Sequence, residues 1–526
     1  MRIVLWVVLL VTAVVLAGMP AAMAVDPWGA PVPVPVDPGP LRFHSLASWG
    51  TEMRLSWELL TSIDPMPRQV ARSSDGGASF RTLPLPEGAL PIGPTFVAAR
   101  PQGGFAYLLS MGDAGDLVIA AVEAAPGEVE LVGPVTLLQP TRAPVGLAAG
   151  PGGLLAVYPG FEADVRTNRT VFRVLVSAEG REWRESPLPL RGLEETLTFL
   201  DLEATTDAFY ILFYERDDAH FAGTPGRFVV ARTEDPWNGS WQRATVATAE
   251  AGFFPGGSLA VSPTGGLAVA WSETFRWRWT AMASLGGQVG SPADFPFSAF
   301  GRPDLGRRVE LAYDGGGRLH ASWWDWIMVL QGDVAFDAPA VLHAEMEEGD
   351  WSNPEEVHRP TAFVSPDDLP TEILLGTDVL RSPIIVWRDH TAAEASLARG
   401  HVSGLVVLGL APGATLSGPV AVHGTTPPGT TVQVRIDNGP WATAEGSPDW
   451  RVQVDGAAVP VGEHTLEVRV CTSEGYCSAP ESIPFRTASL LFLLVLLAIG
   501  VAVVVGLVAL ARRTLRATRS TRRHKT

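Results

Sequence analysis

Four short stretches gather the side chains that could act on a ligand: YERDDAH (Tyr214 to His220), SETFRWRW (Ser272 to Trp279), WDW (Trp324 to Trp326) and RDH (Arg388 to His390). Their candidate residues are Glu215, Arg216, Asp217, Asp218 and His220; Arg276, Trp277 and Trp279; Asp325 and Trp326; and Arg388, Asp389 and His390. Indole faces pack on the apolar faces of sugars or peptides, while carboxylates and guanidinium groups orient polar ligands. The competing reading puts the indoles in a core and leaves the charges solvated. Asp217, Asp218 and His220, or Asp389 with His390, have the donor types for a cation, but neither group has a convergent third ligand. No metal and no cofactor is therefore expected. P-loop, GxSxG, HExxH and paired CxxC motifs do not occur.

Each of these stretches follows an aromatic residue that closes an apolar hairpin. The clearest hairpin is LAVSPTGGLAVAW (Leu259 to Trp271), two apolar strands around a Ser-Pro-Thr-Gly-Gly turn. The outline recurs at Val97 to Tyr107, Gly146 to Tyr158 and Leu311 to Trp323, with weaker copies at Phe43 to Trp57, Phe199 to Phe213 and Ile373 to Trp387. The closing aromatics, Trp57, Tyr107, Tyr158, Phe213, Trp271, Trp323 and Trp387, recur about every 55 residues. A unit that small cannot bury its own apolar face and must stack on its neighbours. A third strand of small and β-branched residues follows, as in VLVS (Val174 to Ser177), VVAR (Val229 to Arg232) and VLHA (Val341 to Ala344). Four short strands per period predict an all-β fold: a seven-bladed, alternatively six-bladed, β-propeller over residues 41–409, whose radial packing leaves only short edges. A solenoid is the other architecture with this periodicity. In a propeller the four stretches lie on one rim.

After the first hairpin, SSDGGASF (Ser73 to Phe80) places Ser73, Asp75, Gly77 and Phe80 in the pattern Ser-x-Asp-x-Gly-x-Ser/Thr-aromatic. The Asp carboxylate can accept turn amides, Gly permits the tight backbone and Phe plugs between strands. SAEGREW (Ser177 to Trp183) is a reduced copy in phase, and Thr233 to Trp241 and Glu347 to Val357 are looser echoes. This pattern resembles the Asp-box turns of the sialidase or neuraminidase superfamily, where the box is structural. For catalysis the resemblance implies an Arg-Ile-Pro segment, three arginines clamping a carboxylate, an Asp acid/base and a Tyr activated by a Glu. The chain has no Arg-Ile-Pro, and Tyr107, Tyr158 and Tyr313 fall at positions the repeat already explains. A catalytic sialidase is not expected.

The remaining segments concern export and display. Residues 1–24 combine a basic Arg2, an apolar run and an Ala22-Met23-Ala24 end, which reads as a signal peptide. Residues 25–40 alternate Pro with Val and read as an extended linker or lead-in. Residues 411–487 keep alternating strands without the hairpin repeat and resemble the immunoglobulin-like β-sandwich modules of prokaryotic surface proteins. Cys471 and Cys477, the only cysteines, flank a turn in this stretch and are expected to pair in an exported chain. Residues 488–511 are uncharged and long enough for a transmembrane helix, with Ala498, Ala502 and Gly506 as a small-residue stripe suited to helix self-association. The basic tail, 512–526, is expected in the cytoplasm. The net charge of −17, despite that tail, leaves an acidic body that disfavours nucleic acid. Asn168 and Asn238 begin glycosylation sequons. The expectation is a membrane-anchored cell-surface protein recognising a glycan or protein ligand. The alternatives are a glycoside hydrolase or lyase using the rim carboxylates, and a passive envelope component.

Overall fold

The computed structural model describes residues 28, 31–36, 41–59, 69–86, 94–100, 102–111, 117–135, 145–163, 168–186, 196–216, 226–249, 256–273, 276–295, 309–331, 334–347, 349–358, 373–388, 394–400, 405–427, 429–473, 475–478, 480–487, 505, 506, 508 and 509. Most of these residues are β-strand, largely in four-stranded antiparallel sheets, and they divide into two compact units.

The larger unit comprises Trp28–Gly404 with Thr472–Ala479. Its described strands form seven antiparallel sheets. Six take their strands in chain order and begin at Leu41–Trp49, Thr95–Ala99, Gly146–Gly150, Thr196–Ala204, Gly257–Val261 and Val309–Tyr313. The seventh begins at Ile373–Thr377 and takes its fourth strand, Val32–Pro35, from the start of the unit, with Val32 opposite Leu397 and Pro35 opposite Glu394. Each first strand lies against the first strand of the next sheet, and that of the seventh lies against that of the first, so the seven close a ring. The Pro-Val run expected as a linker therefore contributes a strand. Proline lacks the ladder donor and is confined to edges, which is where this strand sits, and Val34 is fully buried.

Every gap between consecutive sheets holds one apolar cluster. The seven closing aromatics occupy equivalent places in them, each buried and facing the preceding sheet. Trp271, for example, meets Tyr210, Leu212 and Phe228 of the fourth sheet. Because both faces of each sheet are covered, second strands read as continuous apolar runs, such as FYILFYER (Phe209–Arg216).

Polar side chains tie the innermost strands together. Ser45 Oγ accepts the Val97 N–H at 2.8 Å, Asp201 Oδ2 accepts the Leu259 N–H at 2.7 Å, and Ser258 Oγ accepts the Leu311 N–H at 3.0 Å. Bulges at Phe43/Ser45 and Phe199/Asp201 accompany two of these links. The hairpin turns repeat as well. Gly103, Gly265 and Gly317 occupy one left-handed turn position, and in the seventh sheet Arg381 takes it with φ 53°.

Buried polar networks among the described residues of this unit include those of Arg54 and of His320. Arg54 donates to both oxygens of Glu123 at 2.6 and 2.9 Å, the Tyr107 hydroxyl donates to Glu123 at 2.7 Å, and the guanidinium lies 4.4 Å over Phe105. In the sixth sheet, His320 Nε2 is 3.1 Å from Asp314 and His320 Nδ1 is 2.9 Å from His343 Nε2.

The smaller unit contains Leu405–Cys471 and Glu481–Thr487. A three-stranded sheet (Val406–Leu408, Pro419–Thr425, Asp449–Asp455) and a five-stranded sheet (Ala414–Leu416, Glu481–Thr487, Gly462–Cys471, Thr431–Ile436, Ala442–Thr443) share one core. Val422, Trp450 and Val454 from the first meet Val432, Leu466, Val468 and Phe485 from the second. Cys471 and Cys477 are disulfide-bonded.

The expected signal peptide, 1–24, and basic tail, 512–526, lie outside the described residues. So does most of the expected transmembrane span, including Ala498 and Ala502. Gly506, with Val505, Val508 and Ala509, is helical, and no helix among the described residues is long and apolar enough to cross a membrane.

Candidate functional site

The rim expected from the sequence is only partly described. Asp217, Asp218, His220, Asp389 and His390 lie outside the described residues, as does the side chain of Trp326. Glu215 is buried between Arg227, at 3.3 Å, and Arg243, and ties three neighbouring strands of the fourth sheet. Arg216 ends the same strand, half-buried. Trp277 is buried in the gap between the fifth and sixth sheets, and Trp279 meets Trp351 edge-on at 5.4 Å. Asp325 is fully buried and Arg388 nearly so. Arg276 is exposed and pairs with Glu273 at 2.8 Å, while Arg278 beside it reaches Asp294 at 3.3 Å. The described rim residues are therefore mostly inside the fold: the indoles and Glu215 serve packing, and only the Arg276 group faces water as expected.

The sequon residue Asn238 is exposed and donates its side-chain amide to Asp235. Asn168 starts a strand, and its side chain lies outside the description. The Ser73–Phe80 turn forms as its residue types require. Asp75 accepts the Ser79 N–H at 2.9 Å and the Ser73 hydroxyl at 2.7 Å, and Ser73 Oγ accepts the Gly77 N–H at 2.8 Å. Burial would raise the Asp75 carboxyl, but the hydrogen bonds from Ser79 and Ser73 outweigh it and hold it below the usual range.

A different set of charges acts across the innermost strands. Asp201 and Glu203 lie two residues apart on Thr196–Ala204, and Glu310 lies on Val309–Tyr313. Burial, then the charges of Asp201 and Glu310, hold the half-buried Glu203 carboxyl well above the ordinary carboxylate range, and Arg381 opposes them. A carboxyl pushed toward its protonated form can donate a hydrogen bond as well as accept one. The sequence reading passed over these residues because they sit inside the weak copy Phe199 to Phe213. The available signal was a pair of acids, TFLDLEA, interrupting an otherwise apolar strand. Among the described residues no group of three or more His, Cys, Asp or Glu is placed to hold a metal ion.

No protein-family model matches this chain. No curated protein matches it either. Solved structures do. The polysaccharide lyase Uly1 is 13% identical over 69% of this chain and 90% of its own, with a TM-score of 0.43. The Dos1 propeller is 10% identical over 70% and 95%, with a TM-score of 0.40. The GH32 β-fructofuranosidase BmSUC1 of Bombyx mori is 10% identical over 88% and 90%, with a TM-score of 0.32. At such identities and scores these similarities carry no argument about activity.

Proposed function

We propose that this chain is a cell-surface recognition protein in which a seven-bladed β-propeller of the Asp-box type binds a hydroxyl-rich ligand, a glycan, at the inner strands of its ring. The observation that carries this reading is the set Asp201, Glu203 and Glu310 on the inner strands, the first and last of which act on Glu203 through their charge. A carboxyl pushed toward protonation can donate while neighbouring carboxyl oxygens accept, and a polyol needs both kinds of partner. The closed ring of first strands and the Ser73–Phe80 turn support the Asp-box propeller. The two sheets around one core in the smaller unit support an immunoglobulin-like module. The patterns of 1–24 and 488–526 support export and a single C-terminal anchor with a cytoplasmic tail.

The test is a glycan array probed with the full chain and with Glu203→Gln. A retained glycan should bind the variant at least tenfold more weakly, while the exposed-pair variant Arg276→Gln binds as before. Retention of no glycan, or equal binding by Glu203→Gln, removes the proposal. The raised Glu203 carboxyl favours one second reading, glycoside hydrolysis with Glu203 as the general acid. Turnover of a fluorogenic glycoside that Glu203→Gln abolishes would establish it.

A further inference from the structure

Arg388 ends the second strand of the seventh sheet, Pro383–Arg388, directly after the closing aromatic Trp387. Strand alternation puts it on the same face as Ile384 and Val386, which pack against Leu41, Phe43 and Leu55 of the first sheet. In the second, fourth and sixth sheets the residue after the closing aromatic is Leu108, Tyr214 or Trp324, each buried and uncharged, whereas the first and fifth have Glu58 and Ser272 there. In the seventh a guanidinium takes the place on a face that is otherwise apolar.

That guanidinium is 5% exposed. Its Nε and Nη1 are sealed from solvent and have no hydrogen-bond partner among the described residues. Burial pushes its pKa down, with no charge among the described residues opposing the effect. An arginine starts so high that it stays charged nonetheless. A buried cation without an anion is strongly unfavourable, whereas a buried cation with a well-placed oxyanion is not.

We propose that Arg388 is the cationic element of an oxyanion site at the end of the seventh sheet, taking the carboxylate or phosphate group of a small ligand. The planar fork of N–H donors suits two oxygens of one such group. The site stands on a second strand, apart from the innermost strands that carry Asp201, Glu203 and Glu310, and does not depend on the glycan reading. Because the body of the chain is acidic, short-range charge-assisted hydrogen bonds to an already desolvated guanidinium, rather than long-range attraction, would drive the binding.

The experiment measures the thermal midpoint of the full chain in inorganic phosphate, in acetate and in chloride at matched ionic strength, for the native protein, Arg388→Met and Arg276→Gln. The native protein and Arg276→Gln are expected to gain midpoint with each tenfold rise in phosphate or acetate, the larger gain naming the preferred group. Arg388→Met is expected to lose that response and, in chloride, to melt no lower than the native protein. An Arg388→Met that melts lower in chloride, or does not fold, overturns the proposal, because the guanidinium is then paired within the chain. A flat native response, or a response that survives Arg388→Met, overturns it equally.

Discussion

Replacing Glu123 by Gln tests whether the contact between the first and second sheets depends on a buried charge. Arg54 is fully buried and Glu123 nearly so, and they share two hydrogen bonds at 2.6 and 2.9 Å. The Tyr107 hydroxyl donates to the same carboxylate at 2.7 Å. Glutamine keeps the shape and one acceptor oxygen but leaves the partly exposed Glu52, at 2.9 Å, as the charged partner of the buried guanidinium among the described residues. Breaking a buried pair from one side costs about 3–5 kcal/mol, or roughly two to three and a half powers of ten in the local opening equilibrium. Removing Arg54, Glu123 and Tyr107 together leaves Glu52 with Arg72, at 3.2 Å, and strands no buried charge. Arg54→Met with Glu123→Leu and Tyr107→Phe should therefore recover most of that loss. Hydrogen exchange of the amides in Phe105–Met111 and Leu117–Ala125 reads this gap directly. A Glu123→Gln that costs under about 1 kcal/mol, or a triple variant as weak as the single one, refutes the reasoning.

Other consequences follow from the same coordinates. Burial, outweighing Glu355, holds the His343 imidazole below its ordinary value; an unfolded histidine titrates near 6.5. The folded form therefore prefers the neutral ring, and its contribution is complete above about pH 6.5 and declines as pH falls below it. Thermal midpoints should fall between pH 7 and 5, less steeply in His343→Gln; equal slopes would count against the assignment. Asp378 is buried and accepts the Leu380 and Ser382 amides at 2.8 Å and the Tyr476 hydroxyl; Tyr476→Phe should cost about 1–3 kcal/mol in denaturant titration. Arg381→Gly should relieve left-handed strain of about 1 kcal/mol and raise the midpoint. It should also raise the Glu203 carboxyl further, which carbon-detected NMR titration would show.

What the chain disclosed about itself follows from covalent periodicity. Closing aromatics are legible because each strand pairs a large ring with small neighbours, and Trp271 and Trp323 lie where the hairpin outline puts them. The copies at Phe43 to Trp57 and Phe199 to Phe213 read weakly because bulges interrupt their alternation. Those same copies hold Ser45 and Asp201, whose side chains reach the next sheet, so sequence regularity fails where the ring is tied. The rim stays open in sequence for a different reason. Composition does not say which face of a strand a neighbouring sheet will cover, so Trp277 and Glu215 carry both a packing and a recognition reading until the fold buries them. Val32–Pro35 was read as an extended linker, since proline-rich segments advertise geometry and not partners.

The pairing of Val32–Pro35 with Glu394–Arg399 also sets an order of events during synthesis. The earliest portion of the unit to leave the ribosome must wait, unmatched, until nearly all the rest has emerged. Until then Val32–Pro35 has no strand to pair with, and a protein halted before residue 394 would offer its free edge to other molecules as a template. Completion of the circle thus acts as a checkpoint on length: only a chain carrying both ends can silence its own sticky border.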